Sequence, residues 1–161
     1  MCLVNIRTCH FTPTLMHPNH GKPLWLIGHK LVSIPTPGDY AFADVELTPG
    51  LPGPPPHQHV EANELYVCLN GAIEILREDT WHTLRRGDSL LVPKGTRHSF
   101  RSVEGEPGRF VTIHDPGGPM DALFLEHGIP TDAPEAFERS ISDEAIGRFV
   151  AASAAHDMIL S

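Results

Sequence analysis

The stretch GLPGPPPHQHVEANELYVCLNG, residues 50–71, decides how this chain folds and what it holds. At its centre is His57-Gln58-His59. In an extended strand, side chains two residues apart leave the same face, with alpha carbons roughly 6–7 Å apart. Two imidazoles so placed can reach one ion. Glu64 lies five residues beyond His59. Odd spacing puts it on the opposite face of a continuous strand, so Val60 to Asn63 must bend for Glu64 to join the pair. A second stretch, GDSLLVPKGTRHSFRS at 87–102, supplies another candidate. His98 follows Pro93-Lys94-Gly95, a tight turn that starts a further strand. Four ligand-type side chains at three strand starts can converge inside a barrel.

The sequence around these stretches reads as short strands. Leu24 to Ile34 looks extended, and Tyr40 to Thr48 alternates around Phe42, Val45 and Leu47. Leu65–Leu69 and Ala72–Leu76 flank Asn70-Gly71, a pair that predicts a hairpin because a type I′ turn needs positive φ at both positions. Glu78-Asp79 offers another turn. Ser89–Val92, Arg97–Val103 and Arg109–His114 follow. Short strands with closely spaced turns predict a sandwich or barrel. Beyond Gly117-Gly118 the spacing becomes helical: Pro119 suits a first helical position, Met120, Leu123, Phe124 and His127 recur at helical intervals, and Gly128 suits a stop. Ser142 is placed to cap a second helix, with Ile146, Phe149, Val150 and Ala154 as its apolar stripe. These faces are expected to cover the barrel from outside, with a homodimer contact as their alternative use. The chain reads as one domain over 1–161, with a barrel at about 24–115 and helices at about 117–161.

Composition narrows the partners. Twelve lysines and arginines against 20 aspartates and glutamates give a net charge of -8. Such a balance argues against nucleic acid or an anionic membrane. Arg85-Arg86 reads as a solvated turn. Cys2, Cys9 and Cys68 form no CxxC pattern, which suggests reduced thiols and a cytoplasmic home; Cys68 reads as a small core residue. Asn5 and Arg7 interrupt the start of the chain, so it does not resemble a signal peptide. Of the 11 histidines, His10, His17, His20 and His156 sit in polar or terminal contexts and read as surface or hydrogen-bonded residues.

The two stretches resemble the two sequence motifs of the cupin superfamily, G(X)5HXH(X)3-4E(X)6G and G(X)5PXG(X)2H(X)3N. One extra residue separates Gly50 from His57, and Ser102 stands where the second motif ends in Asn. The resemblance implies an all-β double-stranded β-helix, or jelly-roll barrel. It also implies one divalent transition metal on His57, His59, Glu64 and His98. The layout further resembles small single-domain members related to quercetin 2,3-dioxygenases, through its Pro-rich approach to HxH and through Asp115-Pro116-Gly117-Gly118 leading into helices. That likeness implies oxygen-dependent cleavage of an enolisable aromatic substrate.

Three neutral imidazoles and a carboxylate suit iron, manganese, nickel, cobalt, copper or zinc. The residual charge near +1 favours an anionic oxygen ligand from a small-molecule substrate and leaves room for dioxygen. Glu64 reads first as a ligand and second as a base. Strand parity places Tyr66 and Cys68 with Glu64, and Phe100 with His98. His114, Phe42, Leu123 and Phe124 are further candidates for the cavity wall. Arg97 and Arg101 have the opposite parity to His98 and should point away. The alternative functions are a cupin isomerase, lyase or decarboxylase on a small acid or sugar, or a non-enzymatic small-molecule binder.

Overall fold

The strands of the computed structural model, which describes residues 17–36 and 38–161, show alternating burial. Cys2, Cys9 and His10 lie outside the described residues. In β3 (Ala41–Leu47), Ala41, Ala43, Val45 and Leu47 are buried, while Phe42, Asp44 and Glu46 turn the other way. That alternation is what a sheet with one packed face requires. The extended run at 24–34 is a hairpin, β1 (Pro23–Leu26) and β2 (His29–Ile34), turned at Ile27-Gly28, both with positive φ. Then come β4 (His57–His59), β5 (Asn63–Arg77), β6 (Thr80–Arg85), β7 (Ser89–Val92), β8 (His98–Ser102) and β9 (Gly108–Asp115).

Asn70-Gly71 is not a hairpin turn. Strand β5 runs through it for 15 residues. Its register against β9 shifts between Cys68 and Asn70, which marks a β-bulge. The same positive-φ freedom that suits a I′ turn suits a bulge. The hairpin turn comes at Glu78-Asp79, where β5 meets β6 and Glu78 has φ 53°. The bulge lets one strand serve two groups of neighbours. Its first half pairs with β7 and β9, and its second with β6 and β8.

The expectation of a closed jelly-roll barrel is corrected by the strand order. With β10 (Ile129–Pro130) and β11 (Met158–Leu160), hydrogen bonding runs β10-β1-β2-β3-β9-β5-β8-β4-β11, an open path whose two ends do not pair. The physical reason lies in the last part of the chain. Strand β10 covers the outer edge of β1, and β11 covers that of β4. Short strands thus satisfy the edges that closure would otherwise protect. The segment after residue 116 is therefore not purely helical. It holds α1 (Gly118–His127), α2 (Ala136–Ser140), α3 (Asp143–Ser153) and a 3-10 turn (Ala154–His156) as well as the two strands.

The helices do not form a separate outer layer. Met120, Leu123, Phe124 and Leu125 of α1 and Phe149 of α3 belong to the same buried cluster as Leu24, Tyr66, Ile73, Ile75 and Phe110. Gly128 ends α1, and the Ser142 hydroxyl accepts the Ala145 N–H at the start of α3. Ile146 and Val150, expected to be buried, are exposed; α3 buries Phe149 and Ser153. Among the described residues, no helix is long and apolar enough to cross a membrane.

Candidate metal centre

Four strand positions bring the predicted ligands together. His57 and His59 occupy the ends of β4, Glu64 lies near the start of β5, and His98 opens β8 directly opposite His57. All four side chains are buried, and one ligand atom from each lies within 4.8 Å of all the others. The bend between His59 and Glu64 is real: Val60 and Glu61 are exposed, and Ala62 is buried.

Hydrogen bonds place the Nδ1 proton of the three imidazoles. The Nδ1–H of His57 donates to the Pro55 carbonyl at 2.9 Å, that of His59 to the Asp157 carbonyl at 2.8 Å, and that of His98 to the Thr96 carbonyl at 2.8 Å. A carbonyl only accepts, so each Nδ1 carries the proton and each neutral ring presents a bare Nε2. The Nε2 of His98 then lies 2.8 Å from Glu64 Oε2, and that of His59 lies 3.4 Å from the same oxygen. Lone pairs facing a carboxylate this closely repel unless a proton or a metal ion stands between them. The Nε2 of His59 has no hydrogen-bond partner among the described residues. Three inward-facing imidazole nitrogens and one carboxylate oxygen thus fit a divalent transition metal, with every ring oriented by a backbone carbonyl. The donor types suit each of the six metals named above.

The electrostatics follow the same layout. Burial, helped by His98 and His59, pushes the His57 imidazole down to about 3 against the pull of Glu64. At His59, burial is outweighed by the Glu64 carboxylate and the Asp157 carbonyl, which hold that ring above its ordinary value. Burial alone would raise the Glu64 carboxyl. The imidazoles of His114, His59 and His98 outweigh it and hold the group well below the usual range. Burial, and then the Glu64 charge, push the Tyr66 phenol well above its usual value.

Two side chains of β9 hold the far oxygen of Glu64. The Thr112 hydroxyl donates to Oε1 at 2.5 Å, and His114 Nε2 lies 3.2 Å from the same atom. Both carboxylate oxygens of Glu64 are thus engaged. Beside the centre lies a cavity of about 60 Å³, whose wall includes His57, Glu64, Tyr66, Phe100, His114 and Phe124. Met120, Phe149 and Met158 close its other side.

Three candidates lie elsewhere. Phe42 is on the outward parity of β3 and does not reach the cavity. Cys68 is buried in the core, its Sγ 3.7 Å from the Asn70 and Gly71 carbonyls, farther along β5 than the cavity wall. Leu123 is core as well. Arg101 points away, its guanidinium 3.9 Å over the Trp81 ring and bonded to Glu74 at 2.6 Å.

Sequence reading missed three residues. Thr112 shares parity with His114, so the β9 pattern held a signal for it. His29 lines the cavity wall: its Nδ1 accepts the Thr48 N–H at 3.2 Å, and its Nε2–H donates to the Pro52 carbonyl at 2.9 Å. Asp157 touches the site from 93 positions beyond Glu64 (157 minus 64), and nothing local marks it.

Comparison with known proteins agrees with this geometry. Protein SchB of Streptomyces halstedii is 36% identical over 67 residues, 42% of this chain and 49% of SchB. The uncharacterised protein YdbB of Bacillus subtilis (strain 168) is 40% identical over 47 residues, 29% of this chain and 42% of YdbB. The matched segments thus span about half, or less, of these curated relatives. A sugar phosphate isomerase from a cupin superfamily of Silicibacter pomeroyi superposes with a TM-score of 0.50 at 22% identity, over 54% of this chain and 59% of that one, a likeness of fold. Residues 43–114, which contain all four ligand-type side chains, Thr112 and His114, match the family model of the cupin domain. That segment, with its buried His/His/Glu/His cluster, is thus similar to a cupin domain.

Proposed function

We propose that this protein is a metal-dependent enzyme acting on a compact carboxylic acid, by isomerisation, elimination or decarboxylation. The observation that carries this reading is the cavity. At about 60 Å³ it is under half of the roughly 150 Å³ that holds benzene in an engineered protein core. A two-ring flavonol is far larger. Among the described residues its wall includes no lysine or arginine, so nothing but the metal offsets charge on a ligand. A phosphorylated sugar carries about two negative charges and is usually met by fixed cationic side chains. One carboxylate matches the residual charge near +1.

A bound divalent ion would polarise a substrate oxygen and ease loss of an adjacent proton or carboxyl group. The protein's own groups do the positioning. The Tyr66 hydroxyl is buried and unpartnered among the described residues, and it offers an O–H to a substrate oxygen. His114, with Nε2 turned to Glu64, keeps an unpartnered Nδ1 that accepts from a substrate hydroxyl. The apolar side chains Leu26, Leu31, Val45 and Phe110 exclude water from the reacting carbon.

A second reading, oxygen-dependent cleavage of a compact enolisable substrate, draws support from the same apolar wall. One experiment separates the two. The purified protein is loaded with a single metal, checked by elemental analysis, and given small hydroxy and keto acids with and without dioxygen while products are followed by NMR. Turnover that persists without dioxygen is the expected result. Turnover that requires it shifts the assignment to the second reading. Conversion only of flavonols or sugar phosphates would overturn both.

A further inference from the structure

The bend between His59 and Glu64 is held by one side chain. The N–H groups of Val60 and Glu61 donate to Asp157 Oδ1 at 2.8 and 2.9 Å, and that of Ala62 donates to Oδ2 at 3.0 Å. Three consecutive amides thus converge on a single carboxylate. Such charge-assisted bonds are roughly twice as strong as neutral ones. The Asp157 backbone carbonyl also takes the Nδ1–H of His59. Immediately beyond, β11 pairs with β4: Met158 opposite His59, Ile159 opposite Gln58 and Leu160 opposite His57. Asp157 is left-handed, with φ 63° and ψ 20°, at the corner between the 3-10 turn and β11. Aspartate and asparagine tolerate that conformation better than other side chains.

These contacts answer the parity problem posed by the sequence. His57 and His59 share a face, and Glu64 joins them only if residues 60–62 take one particular bend. Left alone, three unpaired amides in a loop have many arrangements. We propose that Asp157 is a positioning residue of the metal centre. It selects the bend that brings Glu64 onto the same ion as His59, and it sets the tautomer of His59. The order of segment 157–161 and metal affinity are then coupled, and by linkage the coupling runs both ways. This inference rests on the metal centre and not on the reaction proposed above, so its test needs no substrate.

The test compares the full-length wild type with Asp157→Asn and Asp157→Gly. Glycine keeps the left-handed backbone but removes all three acceptor contacts. Asparagine keeps an oxygen for Val60 and Glu61 but sets an amide donor against the Ala62 N–H. Zinc(II) affinity is measured by competition with a chromophoric chelator, and amide hydrogen exchange is followed at residues 60–62 with and without zinc. Partners of metal ligands typically alter affinity about 10- to 100-fold. The glycine variant is expected near the upper end and the asparagine variant near the lower. In the wild type, zinc should slow exchange at 60–62, and in the glycine variant it should not. Wild-type zinc affinity in a folded glycine variant would overturn the proposal, even if its stability falls, because Asp157 would then be a structural tie only. If the glycine variant does not fold, asparagine decides: unchanged affinity overturns the proposal and a loss supports it. Absence of saturable zinc binding in the wild type overturns the metal centre itself.

Discussion

Each metal-facing group is oriented by a partner that the chemistry of the ion does not involve. The histidines lean on carbonyls, and Glu64 leans on Thr112 and His114. Thr112→Val keeps the shape of the side chain and removes the donor. We expect metal affinity to fall about tenfold, read by chelator competition, with the fold intact by circular dichroism. His29 makes a different prediction. It is buried, and burial, opposed by its bond to Pro52, holds its pKa below the ordinary 6.5. Protonating it would also set a proton against the Thr48 N–H that it accepts. The unfolded chain therefore binds more protons than the folded one as pH falls through 6.5. The His29 contribution is fully present above that value and is lost below it. Denaturation on either side of 6.5 should show a smaller loss of stability on acidification in His29→Gln than in the wild type. An equal loss would assign the slope to other groups. At this scale much of the site was legible, since spacing and parity marked the four ligand types, Tyr66 and Phe100. Cys68 keeps the buried parity of Glu64 and Tyr66 but lies too far along β5 to line the cavity, and Phe42 has the opposite parity to Val45 and Leu47. Asp157 could not be found, because its role depends on pairing between distant segments.

Strand β5 shows how one local signal serves two structures. Asn70-Gly71 favours positive φ, and Gly71 does have φ 64°. Asn70 does not share that conformation: a I′ turn asks for positive φ at both positions, whereas the bulge takes it at Gly71 alone. Long-range pairing decides between them: β9 and β7 take the first half of β5, and β6 and β8 take the second. A Cβ at Gly71 would lie 1.8 Å from the Pro107 carbonyl oxygen, whereas at Gly87, with φ 93°, nothing lies within 4 Å. Both alanine variants meet the backbone penalty of a positive φ, about 1 kcal/mol or somewhat more. Only Gly71→Ala also forces a backbone apart, which adds about 1–3 kcal/mol. Chemical denaturation should therefore rank Gly71→Ala as the more damaging by at least about 1 kcal/mol. Equal losses would mean that the loop at Pro107 yields freely.

At the scale of the whole molecule, the segment after residue 116 completes what the strands leave open. Its two short strands cover the sheet edges, and its helices supply Met120, Phe124 and Phe149 to the cavity wall opposite the metal centre. The helices were legible from Pro119, Gly128 and Ser142. The edge strands were not, since two or three residues carry no period. The open sheet therefore has a wall that can change without touching the ligands. Met120 is buried in α1, and truncating a buried methionine costs about 2–5 kcal/mol while leaving space behind. Met120→Ala should melt earlier but keep its metal content, because none of the four ligands bonds to it. If the cavity sets substrate size, the variant should gain affinity for acids as large as benzoate relative to smaller ones, measured by ligand-induced thermal shift. A size preference identical to that of the wild type would place ligand selection somewhere other than this cavity, and the compact-acid reading would lose the observation on which it stands.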